Sequence, residues 1–454
     1  MPYSEKVITF LDYIQKKFDG LEKKLYLCVR NYNKNYKTLI IMKHILFTLS
    51  LLAIATAAMA SGFTVDKITY EITSQQTVSI VSADSTIQSA NLMPTVTHQG
   101  ITYSVTSIGE RAFENCSSLT SIIIPNSVTS IDNFGGDYGC GSTSILGNLP
   151  YRTGNVFMGC PSLTTIKVDT SNPYYDSRNN CNAIIETATN TLIAGCQNTF
   201  IPNSVTRIAD FTFYRCESLT SITIPSSVTS IGNNAFFGTG IYNDKSNWRD
   251  GALYINDCLI TLDKNYRGDY TIPEDTRLIA DWAFQDCSFI TSVTLPNSIT
   301  NIGCGTFYDC TALTAITIPN GVTKIESYAF DKTGIYLDRD NWEDGILYIT
   351  NCLIAIKDIK DDCVIKDNTR LIADWAFYYC STIKSITIPN SVMIIGELAF
   401  SYCTSLSTIN YTGTMEQWAK VLLGRWDYSI PAKSAICTDG CILLPKSDDD
   451  MIIL

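Results

Sequence analysis

A 23-residue phrase returns along most of this 454-residue chain, and a fixed period of that length restricts the fold more than any single residue does. Its fullest form is Val-Thr-x-Ile-Gly-x-x-Ala-Phe-x-x-Cys-x-x-Leu-Thr-x-Ile-x-Ile-Pro, with clean copies starting at Val105, Val205, Ile299 and Val392. The anchor phenylalanine falls at Phe113, Phe157, Phe213, Phe236, Phe284, Phe307, Phe330, Phe377 and Phe400. The steps 213→236, 284→307, 307→330 and 377→400 are each 23 residues, and steps of 44, 48 and 47 elsewhere are close to two units. A unit this short cannot bury its own apolar edge, so neighbours must stack into a solenoid whose core grows along one axis. Solenoids mostly bind other molecules, which sets the prior for function.

Within one unit, Leu119, Ile122 and Ile124 match the positions that stay apolar in every copy. Ile122 and Ile124 alternate as in a strand with one buried face. Pro125 lacks a donor N–H and is expected to end that strand. Val128 and Ile131 start the return stretch, and Ala112 and Phe113 are the inward plugs. Identical register implies that each strand pairs in parallel with its counterpart one coil away. The outward positions Ser221/Thr223, Ser292/Thr294, Ala315/Thr317 and Ser385/Thr387 are expected to form flat hydroxyl columns. Cross-strand threonine pairing explains such columns, and so does contact with a sugar or peptide.

This unit resembles the BspA-like leucine-rich repeats of bacterial and protozoan surface proteins. The likeness is carried by Ser104–Pro125, Ser204–Pro225, Thr276–Pro296, Ile299–Pro319, Thr369–Pro389 and Val392–Ile409. Phe63 to Ile72 is similar to the N-terminal cap of such proteins, and Tyr411 to Trp418 followed by Cys437 to Gly440 is similar to their C-terminal end. The resemblance implies a leucine-rich-repeat solenoid, β-rich with short turns and helical pieces, capped at both ends. It also implies adhesion to host proteins or to other cells. On this reading residues 61–103 form the N-terminal cap, 104–413 the solenoid, and 414–454 the C-terminal cap with an acidic tail. Segments near 177–200, 240–270 and 334–363 depart from the unit and are expected to be degenerate inserted coils with bulging loops. The last two are copies, with Trp248→Trp342, Tyr254→Tyr348 and Cys258→Cys352 all offset by 94. The Gly- and Ser-rich stretch 132–155 is expected to be an exposed excursion.

Lys43, the apolar run from Ile45 to Leu52, and the small residues leading to Ala58-Met59-Ala60 follow the grammar of a secretory signal peptide. The apolar run is shorter than the roughly 20 residues a membrane span requires. Translation is therefore expected to start at Met42, with residues 1–41 an upstream extension and 42–60 the signal; an uncleaved signal anchor is the alternative. Residues 1–60 hold nine of the 33 basic and four of the 44 acidic residues, which leaves 24 against 40 in the remainder. So acidic a surface repels phosphate backbones, and no nucleic-acid partner is expected.

The side-chain chemistry argues for binding without catalysis. Only His44 and His98 occur, too few for a histidine-based relay or the usual zinc sites. Cys116, Cys160, Cys216, Cys287, Cys310, Cys380 and Cys403 share one repeat position and are expected to stack as small buried hydrophobes, although Cys287–Cys310 and Cys380–Cys403 lie within disulfide reach. The acidic loops 338–345 and 243–251 lack the spacing of a calcium loop, and Asx turns explain them as well. No cofactor or metal is expected. Trp248 and Trp342, with Tyr242 and Tyr336, are either interface anchors on loop tips or plugs over their own bulges. The candidate binding residues are these four aromatics together with Thr223, Thr294, Thr317 and Thr387. The expected function is a secreted or cell-surface binding protein taking a protein or glycan ligand on host or neighbouring cells. A structural envelope or matrix component is the alternative. A solenoid glycan-cleaving enzyme would need paired carboxylates at outward strand positions.

Overall fold

The computed structural model describes residues 62–132, 155–424 and 430–444. The signal-like segment and most of the Gly-rich stretch lie outside the described residues. The chain enters through an antiparallel meander of Phe63–Val65, Ile68–Ile72 and Thr77–Ala83. Thr77–Ala83 then runs parallel to Ile101–Ile108, where the repeat begins. Two-residue turns with left-handed backbone, Asp66-Lys67 and Gln99-Gly100, close the hairpins at either side. His98 stacks on Phe63 with ring centroids 4.2 Å apart.

Each coil contributes to two parallel sheets. The first takes the Thr-x-Ile-x-Ile stretch: Gly268–Thr271, Ile290–Thr294 and Ala315–Thr317 pair in order, with Val293 opposite Ile316. Asp361–Val364, Ile383–Ile388 and Thr408–Tyr411 do the same further on. The second takes two-residue strands such as Asn301–Ile302 and Lys324–Ile325. Partners are 23 residues apart, as the period demands. Proline ends the first strand and opens the turn: Pro125, Pro225, Pro296, Pro319 and Pro389 each accept the N–H three residues on, at 3.0–3.3 Å. The anchor phenylalanines form a buried column, with Phe307 5.0 Å from Phe284 and 5.4 Å from Phe330. Cys287, Cys310 and Cys380 of the ladder are free thiols, and Cys310 Sγ donates to the Phe284 carbonyl at 3.0 Å.

A third set of inter-coil bonds runs past the phenylalanines. The N–H groups of Trp282, Phe284 and Asp286 donate to the carbonyls of Cys304, Thr306 and Tyr308 in the next coil, at 2.8–3.0 Å. To aim them along the stacking axis, the residues two before and two after the phenylalanine adopt left-handed backbone. Phe211, Trp282, Tyr328 and Trp375 all do so, with φ of 57–60°. Left-handed backbone costs a bulky residue about 1–2 kcal/mol, and the inter-coil hydrogen bonds offset it.

The irregular segments differ from the sequence expectation. They are not degenerate coils but antiparallel three-stranded ribbons: Tyr175–Asp176 with Ala183–Glu186 and Thr191–Gly195; Trp248–Arg249 with Ala252–Ile255 and Cys258–Leu262; and Trp342–Glu343 with Ile346–Ile349 and Cys352–Ile356. The turns at Asn256-Asp257 and Thr350-Asn351 reverse the chain, because Asn256 and Thr350 take left-handed φ. The last strand of each ribbon rejoins the parallel stack, Cys258–Leu262 beside Leu278–Ile279 for example. The ribbons also interrupt the hydroxyl columns. Thr294 and Thr317 lie side by side with Thr271, whereas Thr387 stands between Val364 and Asn410, and Thr223 is exposed outside any strand. At the far end, Ser434–Cys437 pairs in parallel with Thr408–Tyr411, and Gly440–Leu443 folds back on it as the last strand of the sheet.

Candidate ligand-binding site

The duplicated ribbons carry the predicted aromatics, and their turns are built alike. Thr239 and Thr333 cap one-turn helices, Gly240–Asn243 and Gly334–Leu337, by accepting the N–H of Tyr242 and Tyr336. Asp244 and Asp338 then cap short 3₁₀ turns by accepting from Ser246 and Asp340. These carboxylates serve the turn itself, as Asx chemistry predicts. The Trp248 indole N–H donates to the Tyr242 carbonyl at 2.9 Å, and that of Trp342 to the Tyr336 carbonyl at 3.0 Å. Each tryptophan meets its tyrosine edge-on with centroids 5.3 Å apart. All four rings are half-buried. The tryptophans are thus fastened over their own ribbons rather than standing free as loop tips. The structure brings Trp248 to Tyr242 and Trp342 to Tyr336, but does not bring either pair to the threonines on the strand face.

The first ribbon has a cavity beside it. A pocket of about 480 Å³ lies between the Trp248 turn and the coil that carries Trp282. Tyr214, Phe237, Tyr242, Trp248 and Trp282 supply rings to its wall. Tyr214 stacks on Phe237 at 5.5 Å, and Phe237 touches Tyr242 at 4.9 Å, so the aromatic wall is continuous. Polar groups come from Asn233, Asn234, Asp263 and Gln285. Sequence reasoning missed Tyr214, Trp282 and the amides, because the pocket is assembled from residues tens of positions apart. Comparison at the 94-residue offset holds the signal: Asn234 and Asp263 align with Tyr328 and Lys357.

Beneath this region the acidic residues form a column the sequence reading did not anticipate. Asp210, Asp281 and Asp374 are buried, and burial holds all three carboxyls above the usual range. Asp210 accepts the N–H of Asn233 at 2.9 Å in the next coil. Outward strand positions also carry carboxylates beside the hydroxyl columns. Asp269 and Asp362 occupy such positions, each accepting from a serine one coil on, Ser292 and Ser385. Each is hydrogen-bonded to hydroxyls. Among the described residues no group of three or more His, Cys, Asp or Glu is placed to hold a metal ion. No helix among them is long and apolar enough to cross a membrane.

Comparison with known proteins agrees with the repeat geometry. Residues 91–189, 193–247, 268–360 and 358–421 match the BspA type leucine rich repeat region, in six copies. No curated protein matches the chain. Among solved structures, a leucine-rich repeat protein from Bacteroides ovatus ATCC 8483 is similar at 24% identity, covering 83% of this chain and 78% of its own, with a TM-score of 0.25. A leucine rich cell surface protein from Faecalibacterium prausnitzii A2-165 is 21% identical over 80% of this chain and 97% of its own, with a TM-score of 0.24. The pneumococcal vaccine antigen PcpA is 16% identical over 82% and 98%, with a TM-score of 0.25. Whole-chain superpositions this loose carry no weight beside the repeat itself. With the repeat matched over well over half its length and the coils paired at that same period, the chain belongs to the BspA-type leucine-rich repeat family.

Proposed function

We propose that this protein is an exported or cell-surface binding protein that attaches to a protein or glycan on host or neighbouring cells and performs no catalysis. The observation that carries the reading is the ring-lined pocket set into a rigid repeat array, the kind of preformed concavity in which ligands are held. The signal-like order of Lys43, the apolar run and Ala58-Met59-Ala60 supports export. Family membership supports contact with other molecules, since solenoids offer long surfaces of fixed shape. Hydroxyls of Thr291, Ser292 and Ser385 donate to Asp269 and Asp362, which favours a structural role for those acids over a catalytic one.

The test is direct. Fluorescent protein spanning residues 61–454 is applied to host epithelial cells, to immobilised matrix proteins and to neighbouring bacterial cells. Saturable binding to at least one surface is the expected result. Failure to bind any of them, with the protein folded, would remove the adhesive reading in favour of a structural envelope role.

A further inference from the structure

The two ribbons are copies, yet the residues that line the cavity of the first are replaced by larger ones at two places in the second. In the second copy Tyr328 occupies the place of Asn234, and its ring meets Trp375 edge-on at 6.3 Å. Lys357 occupies the place of Asp263, and its ammonium lies 3.9 Å from the Tyr336 ring and 4.5 Å from the Trp342 ring. In the first copy those places hold Asn234 and Asp263, and the lysine over the Trp248 ring is Lys245, from the turn itself. Asn234 and Tyr328 share left-handed backbone, φ 52° and 60°, so at that position the two copies differ in side chain and not in backbone.

The groups left facing the first cavity define what fits it. The rings of Tyr214, Phe237 and Trp282 offer apolar faces and edges, while one face of Trp248 is covered by Lys245. The side-chain amides of Asn233, Asn234 and Gln285 carry no hydrogen bond among the described residues, and each presents a donor and an acceptor at one edge. The two nearby cations are engaged already: Lys264 pairs with Asp286 at 2.8 Å, and Lys245 lies 3.6 Å over the Trp248 ring. With both lysines so held, Asp263 on the rim and a formal net charge of −11, an anionic ligand is disfavoured. The amide-rich rim is too polar for an aliphatic chain. A neutral sugar ring meets both conditions. Its C–H face packs on aromatic rings, and its neighbouring hydroxyls pair with planar amides. The volume of about 480 Å³ falls within the 300–1,000 Å³ typical of small-ligand sites.

We propose that the pocket beside the Trp248 turn binds a neutral hexose or N-acetylhexosamine residue at the end of a glycan. This rests on the surface-binding reading and names the chemistry of its ligand. Full-length protein is tested on an array of neutral, sialylated and sulfated glycans, and affinities for the bound glycans are measured by calorimetry. The expected result is binding to neutral glycans that Asn234→Tyr weakens at least tenfold with an unchanged melting temperature, because the second copy already accommodates tyrosine at that position. Thr317→Ala, on the strand face, leaves affinity unchanged. If Asn234→Tyr does not fold, Gln285→Ala and Asn233→Ala decide instead, each expected to weaken binding about tenfold. Undiminished binding by folded Asn234→Tyr, or by both alanine variants, overturns the site. Binding of only acidic glycans overturns the ligand class. Cell attachment with no glycan binding overturns the sugar proposal while leaving the adhesive function standing.

Discussion

The carboxylate of Asp374 accepts the backbone N–H of Glu397 at 2.7 Å, one coil further along the array. The contact exists because Gly396 has no side chain: a Cβ there would sit 2.4 Å from Asp374 Oδ1 and 2.5 Å from the Asp374 backbone nitrogen. Asp210 over Gly232 and Asp281 over Gly303 repeat the arrangement. An Ala-Asp coil is thus followed each time by a coil with glycine at the matching place. Gly396→Ala is expected to destabilise the C-terminal coils by about 1–3 kcal/mol, the cost of overpacking. Urea unfolding measures it, and a cost below about 0.5 kcal/mol would contradict the close approach.

Acidity supplies a second prediction. Burial pushes the Asp374 carboxyl up to about 7, with Lys324 opposing the rise and Glu326 and Glu397 adding to it. Burial also pushes Asp331 up to about 6. A carboxyl whose folded pKa lies above its unfolded value of about 3.9 binds more protons in the folded state, so its contribution is complete below pH 4 and is lost as pH rises towards 7. The protein is expected to melt at a higher temperature at pH 5 than at pH 8. Asp374→Asn is expected to shrink that difference, and an unchanged difference would show that the acid does not couple to folding.

The phenylalanine column should respond quite differently from the strand face. Phe307→Ala removes a ring packed between two others and is expected to cost about 3–5 kcal/mol. Thr317→Ala, exposed on its strand, should stay within about 0.5 kcal/mol. Equal losses in denaturant titrations would mean that the two faces have been assigned wrongly.

Thiol chemistry separates the ladder from the cap. Burial pushes Cys287 up to about 12 and also raises Cys310, so neither offers thiolate at neutral pH. Iodoacetamide under native conditions should label exposed Cys441 and spare Cys287, Cys310 and Cys403. Mass spectrometry of the digested product reads the outcome, and rapid labelling of Cys310 would refute its burial.

The tryptophans yield a last comparison. Trp342→Phe keeps a ring but deletes the donor to the Tyr336 carbonyl, an expected loss of about 0.5–1.5 kcal/mol. Glycan and cell binding should be unaffected, because the proposed pocket belongs to the other ribbon. Thermal melting and the binding assay together check both halves.

Much of this architecture could be read from the sequence because a stacked coil repeats its own environment. Phe307 and Cys310 are buried for the same reason as the other anchor phenylalanines and most ladder cysteines, so spacing alone places them. The ribbons were harder to foresee. Ala252–Ile255 and Cys258–Leu262 look like strands in any case, and their antiparallel sense depends on the two-residue Asn256-Asp257 turn. Left-handed backbone at Trp282 and Trp375 gives no local signal, since glycine or asparagine is the usual occupant of that conformation. The pocket depends on which side chains from separate coils end up adjacent, and a single period cannot say that.

The antiparallel ribbons carry a consequence for how the chain finds its structure. Near-identical coils invite mispairing, because a strand displaced by one unit meets almost the same partner and loses little energy. A ribbon cannot be displaced so cheaply, because its three strands would fall where a plain coil belongs. The interruptions at Tyr175–Gly195, Trp248–Leu262 and Trp342–Ile356 therefore number the coils between them and give a monotonous polymer unique addresses along its length.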